Sequence, residues 1–65
     1  MQLLVNGAAH DAAEGTTLAE LAAGLALRGR YAIEVNGEIV PRSRYGATAL
    51  KRGDRVEVVQ AVGGG

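Results

Sequence analysis

Two Asn-Gly dipeptides, at residues 6–7 and 36–37, most constrain what this chain can fold into. Asn and Gly both tolerate a positive φ, so an Asn-Gly pair between strand-forming residues predicts a two-residue β-hairpin turn. The first pair separates residues 2–5 from residues 8–12, and the second separates residues 31–35 from residues 38–40. The chain is therefore predicted to contain two hairpins, one in each half.

The segment between the hairpins has the pattern of one amphipathic helix. Thr17 and Glu20 have the spacing of a capping box, in which each side chain binds the other residue's backbone amide. We expect the helix to end near Leu27, with Gly29 as its stop, and we expect Gly24 to permit close backbone approach to the sheet. Apolar residues repeat at the i, i+3, i+4 and i+7 positions, namely Leu18, Leu21, Ala22 and Leu25.

The last strand is predicted at residues 55–61, after a proline at 41 that ends the second hairpin and an irregular stretch at 43–50. The right-handed crossover rule favours the first and last strands lying parallel and side by side, with the helix across one face. The expected fold is therefore α+β: a β-grasp (ubiquitin-like) domain covering residues 1–65, with a mixed sheet of four to five strands and one main helix.

Length, charge and composition exclude several classes of function. A chain of 65 residues has room for one thin core, so a deep substrate pocket is not expected. Seven basic residues balance seven acidic ones, which argues against binding to nucleic acid or to a membrane surface. Cysteine is absent, which excludes disulfides, a thiolate nucleophile and cysteine-ligated metals. Without a signal peptide or a membrane span, we expect a cytoplasmic protein that is monomeric when free.

The side chains do not suggest catalysis. The single histidine, His10, would need a serine placed against it by a pocket that a domain this small hardly has. Glu34 and Glu38 flank the second turn and could face each other across it, where they would form a solvated rim. No nucleotide-binding loop or metal-ligand spacing occurs, so we predict no catalytic residues, no metal and no bound cofactor. Arg42 and Arg44 are candidates for contacts with an acidic partner surface.

The sequence closes on Gly63, Gly64 and Gly65, for which a structural role is hard to find. Glycine has the greatest backbone entropy and no side chain to pack, so we expect residues 63–65 to form a narrow, extended, flexible tail. Its reactive group would be the terminal carboxylate. We expect such a tail to enter a partner tunnel that is too narrow for a β-carbon.

These features together resemble the ubiquitin-like sulfur carriers of thiamin biosynthesis, the ThiS family. The resemblance extends over nearly the whole chain. It rests on the opening strand with residues 5–7, on Gly-Thr-Thr-Leu-Ala-Glu at 15–20, on Asn-Gly-Glu-Ile-Val-Pro-Arg at 36–42, on Gly-Asp at 53–54 and on Val-Gly-Gly-Gly at 62–65. Tyr45 stands where the family often has tryptophan.

The resemblance implies a carrier rather than an enzyme. A ubiquitin-activating-like adenylyltransferase of the ThiF type would consume ATP to convert the Gly65 carboxylate into an acyl-adenylate. Sulfur from a donor protein would then displace AMP to give a thiocarboxylate. A thiazole synthase of the ThiG type would take the sulfur and return the carboxylate.

We expect these partners to dock on the helix-free face of the sheet, because the helix covers the other face. Alternation along the last strand places Glu57, Val59 and Ala61 on that face, with Leu4 as a possible neighbour on the first strand. The predicted docking patch consists of Leu4, Val59, Ala61, Arg42 and Arg44.

Two other classes of function remain open from the sequence. The small, sulfur-donating subunit of molybdopterin synthase has a similar fold and tail, but it is usually longer and more aromatic. A ubiquitin-like protein modifier or a non-covalent interaction module is the more distant alternative. Lys51 is the single lysine, which leaves little scope for self-linked chains and favours a carrier over a modifier.

Overall fold

The computed structural model describes residues 1–60, which include five strands, one α-helix and one 3₁₀ helix. The α-helix, α1, spans Leu18–Gly24, and the 3₁₀ helix spans Arg42–Ala47. The strands are β1 (Gln2–Val5), β2 (Ala8–Asp11), β3 (Tyr31–Val35), β4 (Glu38–Val40) and β5 (Arg55–Gln60).

The strands form one mixed sheet in the order β2-β1-β5-β3-β4. The outer pairs are the two antiparallel hairpins, β1 with β2 and β3 with β4. The first and last strands lie side by side and parallel, and β5 is antiparallel to β3. The predicted β-grasp arrangement is confirmed, because both hairpins, the central parallel pair and the single main helix are present.

Both Asn-Gly turns have the backbone conformation expected of two-residue hairpin turns. Asn6 and Gly7 have φ values of 50° and 82°, and Asn36 and Gly37 have φ values of 52° and 87°. Each asparagine side chain also hydrogen-bonds to the backbone of β5. Asn6 Oδ1 accepts a hydrogen bond from the amide of Val58 at 2.8 Å, and Asn36 Oδ1 accepts one from the amide of Arg55 at 2.9 Å. The turns therefore fix the register of the central strand as well as that of their own hairpins.

The helix begins as predicted and ends earlier. The Thr17 hydroxyl accepts from the Glu20 amide, and the Glu20 carboxylate accepts from the Thr17 amide, which completes the capping box. The prediction of an end near Leu27 is wrong, because Ala26 adopts a left-handed φ of 53° directly after the C-cap. The predicted close approach of Gly24 to the sheet is also wrong, since a Cβ there would contact nothing within 4 Å.

The core lies between α1 and one face of the sheet, which we call the covered face. The helix contributes two buried leucines, and the 3₁₀ helix closes one end of the core with a buried tyrosine. The buried residues are Leu3, Leu18, Leu21, Ala22, Ile33, Tyr45, Leu50 and Val56.

The opposite face of the sheet, which we call the open face, carries the alternate residues of the same strands. Pairing places Leu4 beside Arg55 and Ala32 beside Val59 on this face. Within residues 1–60, no helix is long and apolar enough to cross a membrane.

Candidate docking face

Ala61 and the predicted tail, Gly63–Gly65, lie outside the described residues. Gln60 is the last described residue of β5. Its backbone pairs with Tyr31, and its side-chain amide donates a hydrogen bond to the carbonyl of Arg28 at 3.3 Å. The end of β5 is therefore held to β3 and to the carbonyl of Arg28.

The open face exposes three large apolar side chains. Leu4 is 39% exposed, Val59 is 55% exposed and Ile39 is 67% exposed. Leu4 and Val59 are members of the predicted docking patch, whereas Ile39 was missed by the sequence analysis. The position of Ile39 could have been predicted from the sequence. A two-residue turn at 36–37 pairs residue 39 with residue 34 and so places Ile39 on the same face as Glu34.

The exposed apolar residues do not form one continuous cluster. Leu4 lies opposite Arg55, and Arg55 precedes Val59 by four residues on β5. At ~3.3 Å per residue, Leu4 and Val59 are therefore separated by about 13 Å along the strand direction. Val59 lies opposite Ala32, and Ile39 lies one strand beyond on β4. The open face thus has one apolar part around Ala32, Ile39 and Val59 and a separate apolar position at Leu4.

Two carboxylates lie between these apolar parts. Glu34 on β3 pairs directly with Glu57 on β5, and both belong to the open face. The predicted Glu34–Glu38 pair across the turn is wrong, because Glu38 pairs with Val35 and so has the opposite parity. Sequence alone could not find the Glu34–Glu57 pair, since it depends on the register of two strands that are distant in the chain.

The structure places Arg42 away from Leu4 and Val59. Its guanidinium carbon lies 4.3 Å from the centre of the Tyr31 ring, a cation–π contact, and Tyr31 has the parity of the covered face. Arg44 is exposed in the 3₁₀ helix, and its carbonyl accepts from the Thr48 hydroxyl at 2.7 Å. The predicted patch is therefore divided in two: Leu4 and Val59 lie on the open face, and Arg42 lies beside the helix.

Arg42 borders a shallow groove of about 450 Å³ between α1 and the 3₁₀ helix. Burial raises the pKa of the Tyr45 phenol in this groove, and neighbouring Tyr31 raises it further, against the opposing effects of Arg42 and a backbone hydrogen bond at Ile33. A neutral phenol at this position serves packing. The groove is lined by Ala19, Ala22, Ala23, Ala26, Leu27, Tyr31, Arg42, Tyr45 and Gly46.

Residues 1–60 contain no group of three or more His, Cys, Asp or Glu side chains that could hold a metal ion. The chemistry predicted from the sequence falls on the glycines at 63–65, which lie outside the described residues.

Comparison with known proteins decides the family. The ThiS family model matches residues 3–65. The chain belongs to the ThiS family. Membership supports a sulfur-carrier role in thiamin synthesis. It also favours the thiamin branch over the molybdopterin synthase subunit considered from the sequence.

Solved structures of ThiS-family proteins have the same fold. A crystal structure of the thiamine biosynthesis protein ThiS from Geobacter metallireducens is 38% identical, with a TM-score of 0.85 and full coverage of both chains. A solution structure of a thiamine biosynthesis protein from the same organism is 38% identical with a TM-score of 0.81, covering all of this chain and 88% of the other.

Two curated relatives are called thiazole synthase. The chain is 42% identical to one from Magnetococcus marinus and 38% identical to one from Paramagnetospirillum magneticum, over 66 residues in each case. Each match covers all of this chain and 20% of the relative, so the chain spans about a fifth of the length of these relatives. A segment like this chain therefore occurs within proteins called thiazole synthase.

Proposed function

We propose that this chain carries sulfur as a thiocarboxylate on Gly65 and delivers it for thiazole formation in thiamin biosynthesis. The observation that supports the proposal most directly is the match to the ThiS family over residues 3–65, which includes the glycines. The names of the two curated relatives support thiazole synthase as the protein that consumes the sulfur.

The proposed cycle has three steps. A ThiF-type adenylyltransferase transfers AMP from ATP to the Gly65 carboxylate and releases pyrophosphate. Sulfide supplied by a donor protein displaces AMP, so that the new carbon–sulfur bond replaces the carbon–oxygen bond to the adenylate. Thiazole synthase transfers the sulfur to its substrate, and an oxygen from water replaces it on the Gly65 carbonyl carbon, which regenerates the carboxylate. ATP is consumed by the activating enzyme, and this chain is the substrate in every step.

Gly63, Gly64 and Gly65 enter narrow channels of both partners in this proposal. Because glycine has no β-carbon, its backbone can pass where other residues cannot. The open face docks beside the channel mouth, with Leu4, Val59 and Ala61 as contacts. Arg42 and Arg44 are proposed as additional contacts on the side of the domain that carries the helix.

Intact-mass spectrometry tests the proposal. Incubation with the activating enzyme, ATP and a sulfur donor should yield protein heavier by the exchange of one oxygen for sulfur, and thiazole synthase with its substrates should restore the original mass. The matched control is the Gly64→Ala variant, which should unfold at the same temperature as the wild type and should not be adenylated. Accumulation of lysine-linked adducts of the chain, with no detectable thiocarboxylate, would contradict the carrier assignment and indicate a protein modifier.

A further inference from the structure

The open face contains one arrangement that the proposed cycle does not explain. Glu34 and Glu57 lie directly opposite each other on neighbouring antiparallel strands. Like charges in this position destabilise a sheet, because their Cβ atoms are only about 5 Å apart. Because the pair is unfavourable in the isolated domain, we infer its role from contacts with another protein.

The described part of the chain does not bring a cation to either glutamate. The ion pairs within residues 1–60 both involve Glu14, which lies near Arg52 and the Met1 amine. Arg55 shares the strand and the face of Glu57 but forms no ion pair with it, and Arg42 is occupied by the Tyr31 ring. Within residues 1–60, neither carboxylate therefore has an ion-pair partner.

Three apolar residues adjoin the pair, and two of them, Ile39 and Val59, are exposed. Ile39 lies opposite Glu34 on β4, and the position next to the pair along the sheet is occupied by Ala32 and Val59. A partner that covers Ile39 and Val59 also removes water from the adjacent carboxylates of Glu34 and Glu57. Removing water from unpaired charges costs much more than apolar contact of this size returns, unless a cation is supplied.

We propose that the open face receives an apolar surface of thiazole synthase that carries one basic side chain, which binds between Glu34 and Glu57. The inference rests on the proposed function and adds the chemistry of the partner surface. Arginine fits best, because its planar guanidinium can donate to two carboxylates at once. The pair then rejects surfaces that are purely apolar or acidic, so its cost in the free domain provides specificity.

Charge-removing variants test the pair. We expect Glu34→Gln and Glu57→Gln each to weaken binding to the cognate thiazole synthase by about tenfold in calorimetry, and to reduce its dependence on salt. Neither variant should lower the unfolding temperature, because the repulsion is removed. The matched control is Glu38→Gln on the same hairpin, which has the opposite parity and should bind within about twofold of the wild type.

The outcomes separate this inference from the proposed function. Glutamine variants that bind thiazole synthase as tightly as the wild type would overturn the basic contact while leaving the carrier cycle intact. Loss of binding to the activating enzyme alone would overturn the choice of thiazole synthase as occupant. A wild-type protein that acquires no thiocarboxylate in the mass assay would instead contradict the proposed function, whichever way the glutamine variants behave.

Discussion

The covered face and the open face are built from alternate residues of the same strands, and they differ in what their apolar side chains contact. Leu3 and Val56 on the covered face are buried against the helix, whereas Leu4 and Val59 on the open face remain exposed. Each of these pairs consists of one leucine and one valine, so the residue type does not explain the difference in burial. Position relative to α1 therefore separates apolar residues that stabilise the fold from those available to a partner.

The largest expected effect is at the centre of the covered face. Leu18 is fully buried on α1, and we expect Leu18→Ala to lower the free energy of unfolding by about 2–5 kcal/mol. The total free energy of unfolding of a domain of this size is about 3–10 kcal/mol, so much of the variant protein should be unfolded. Urea denaturation followed by circular dichroism measures the change. Leu4→Ala on the open face is the matched control and should cost less than about 1 kcal/mol, and equal losses would contradict the division into two faces.

The next effect concerns the turns that set the register of β5 and so decide which residues lie on each face. The Asn36 side chain accepts from the Arg55 amide and donates to the Asp54 carboxylate at 3.0 Å. Replacement of Asn36 by Asp removes that donor and places two carboxylates together, so we expect a loss of about 1–2 kcal/mol in thermal or urea unfolding.

The other turn supplies the control for this experiment. Within residues 1–60, the Asn6 side chain hydrogen-bonds through its oxygen alone, which accepts from the Val58 amide. An aspartate keeps that acceptor and tolerates the same left-handed φ, so Asn6→Asp should cost less than about 0.5 kcal/mol. Similar losses at the two turns would indicate that backbone conformation alone, and not the side-chain partners, accounts for the two asparagines.

A smaller effect is expected at the start of the helix that covers the sheet. Thr17→Ala removes the side chain that accepts from the Glu20 amide, and loss of a helix cap typically costs ~1 kcal/mol. Thr16→Ala, one residue earlier, removes only an exposed hydrogen bond to the carbonyl of Ala13 and should cost less. A larger loss at Thr16 than at Thr17 in urea denaturation would contradict the importance of the capping box.

Local patterns in the sequence predicted most of the fold and the open face. The turns and the helix start depend on residues within four positions of one another, and the predicted outward position of Val59 follows from simple alternation. The early helix end was not predictable in this way, because Ala26 adopts a left-handed φ at a position where glycine is usual.

The parts of the candidate site that the sequence did not predict depend on distant contacts. Glu34 and Glu57 meet only through the pairing of β3 with β5, and Arg42 lies against Tyr31 because the 3₁₀ helix folds beside α1. Neither contact can be predicted from the charges or their spacing along the chain. The tail residues Gly63–Gly65 are the opposite case, since their predicted role comes from sequence and family membership, and they lie outside the described residues.

The smallest expected effect on stability is at Val59, where the comparison of the two faces can be made within one strand. Threonine keeps the β-branched shape and the strand preference of valine and adds a hydroxyl. Because Val59 is 55% exposed, Val59→Thr should change the free energy of unfolding by less than about 0.5 kcal/mol. The same replacement at Val58, which packs against the core, should cost about 1–2 kcal/mol because the hydroxyl enters an apolar environment.

Binding should show the reverse order: Val59→Thr weakens binding to thiazole synthase several-fold in calorimetry, whereas folded Val58→Thr binds like the wild type. Unchanged binding of Val59→Thr would exclude this part of the open face from the docking surface, even if its stability is as expected.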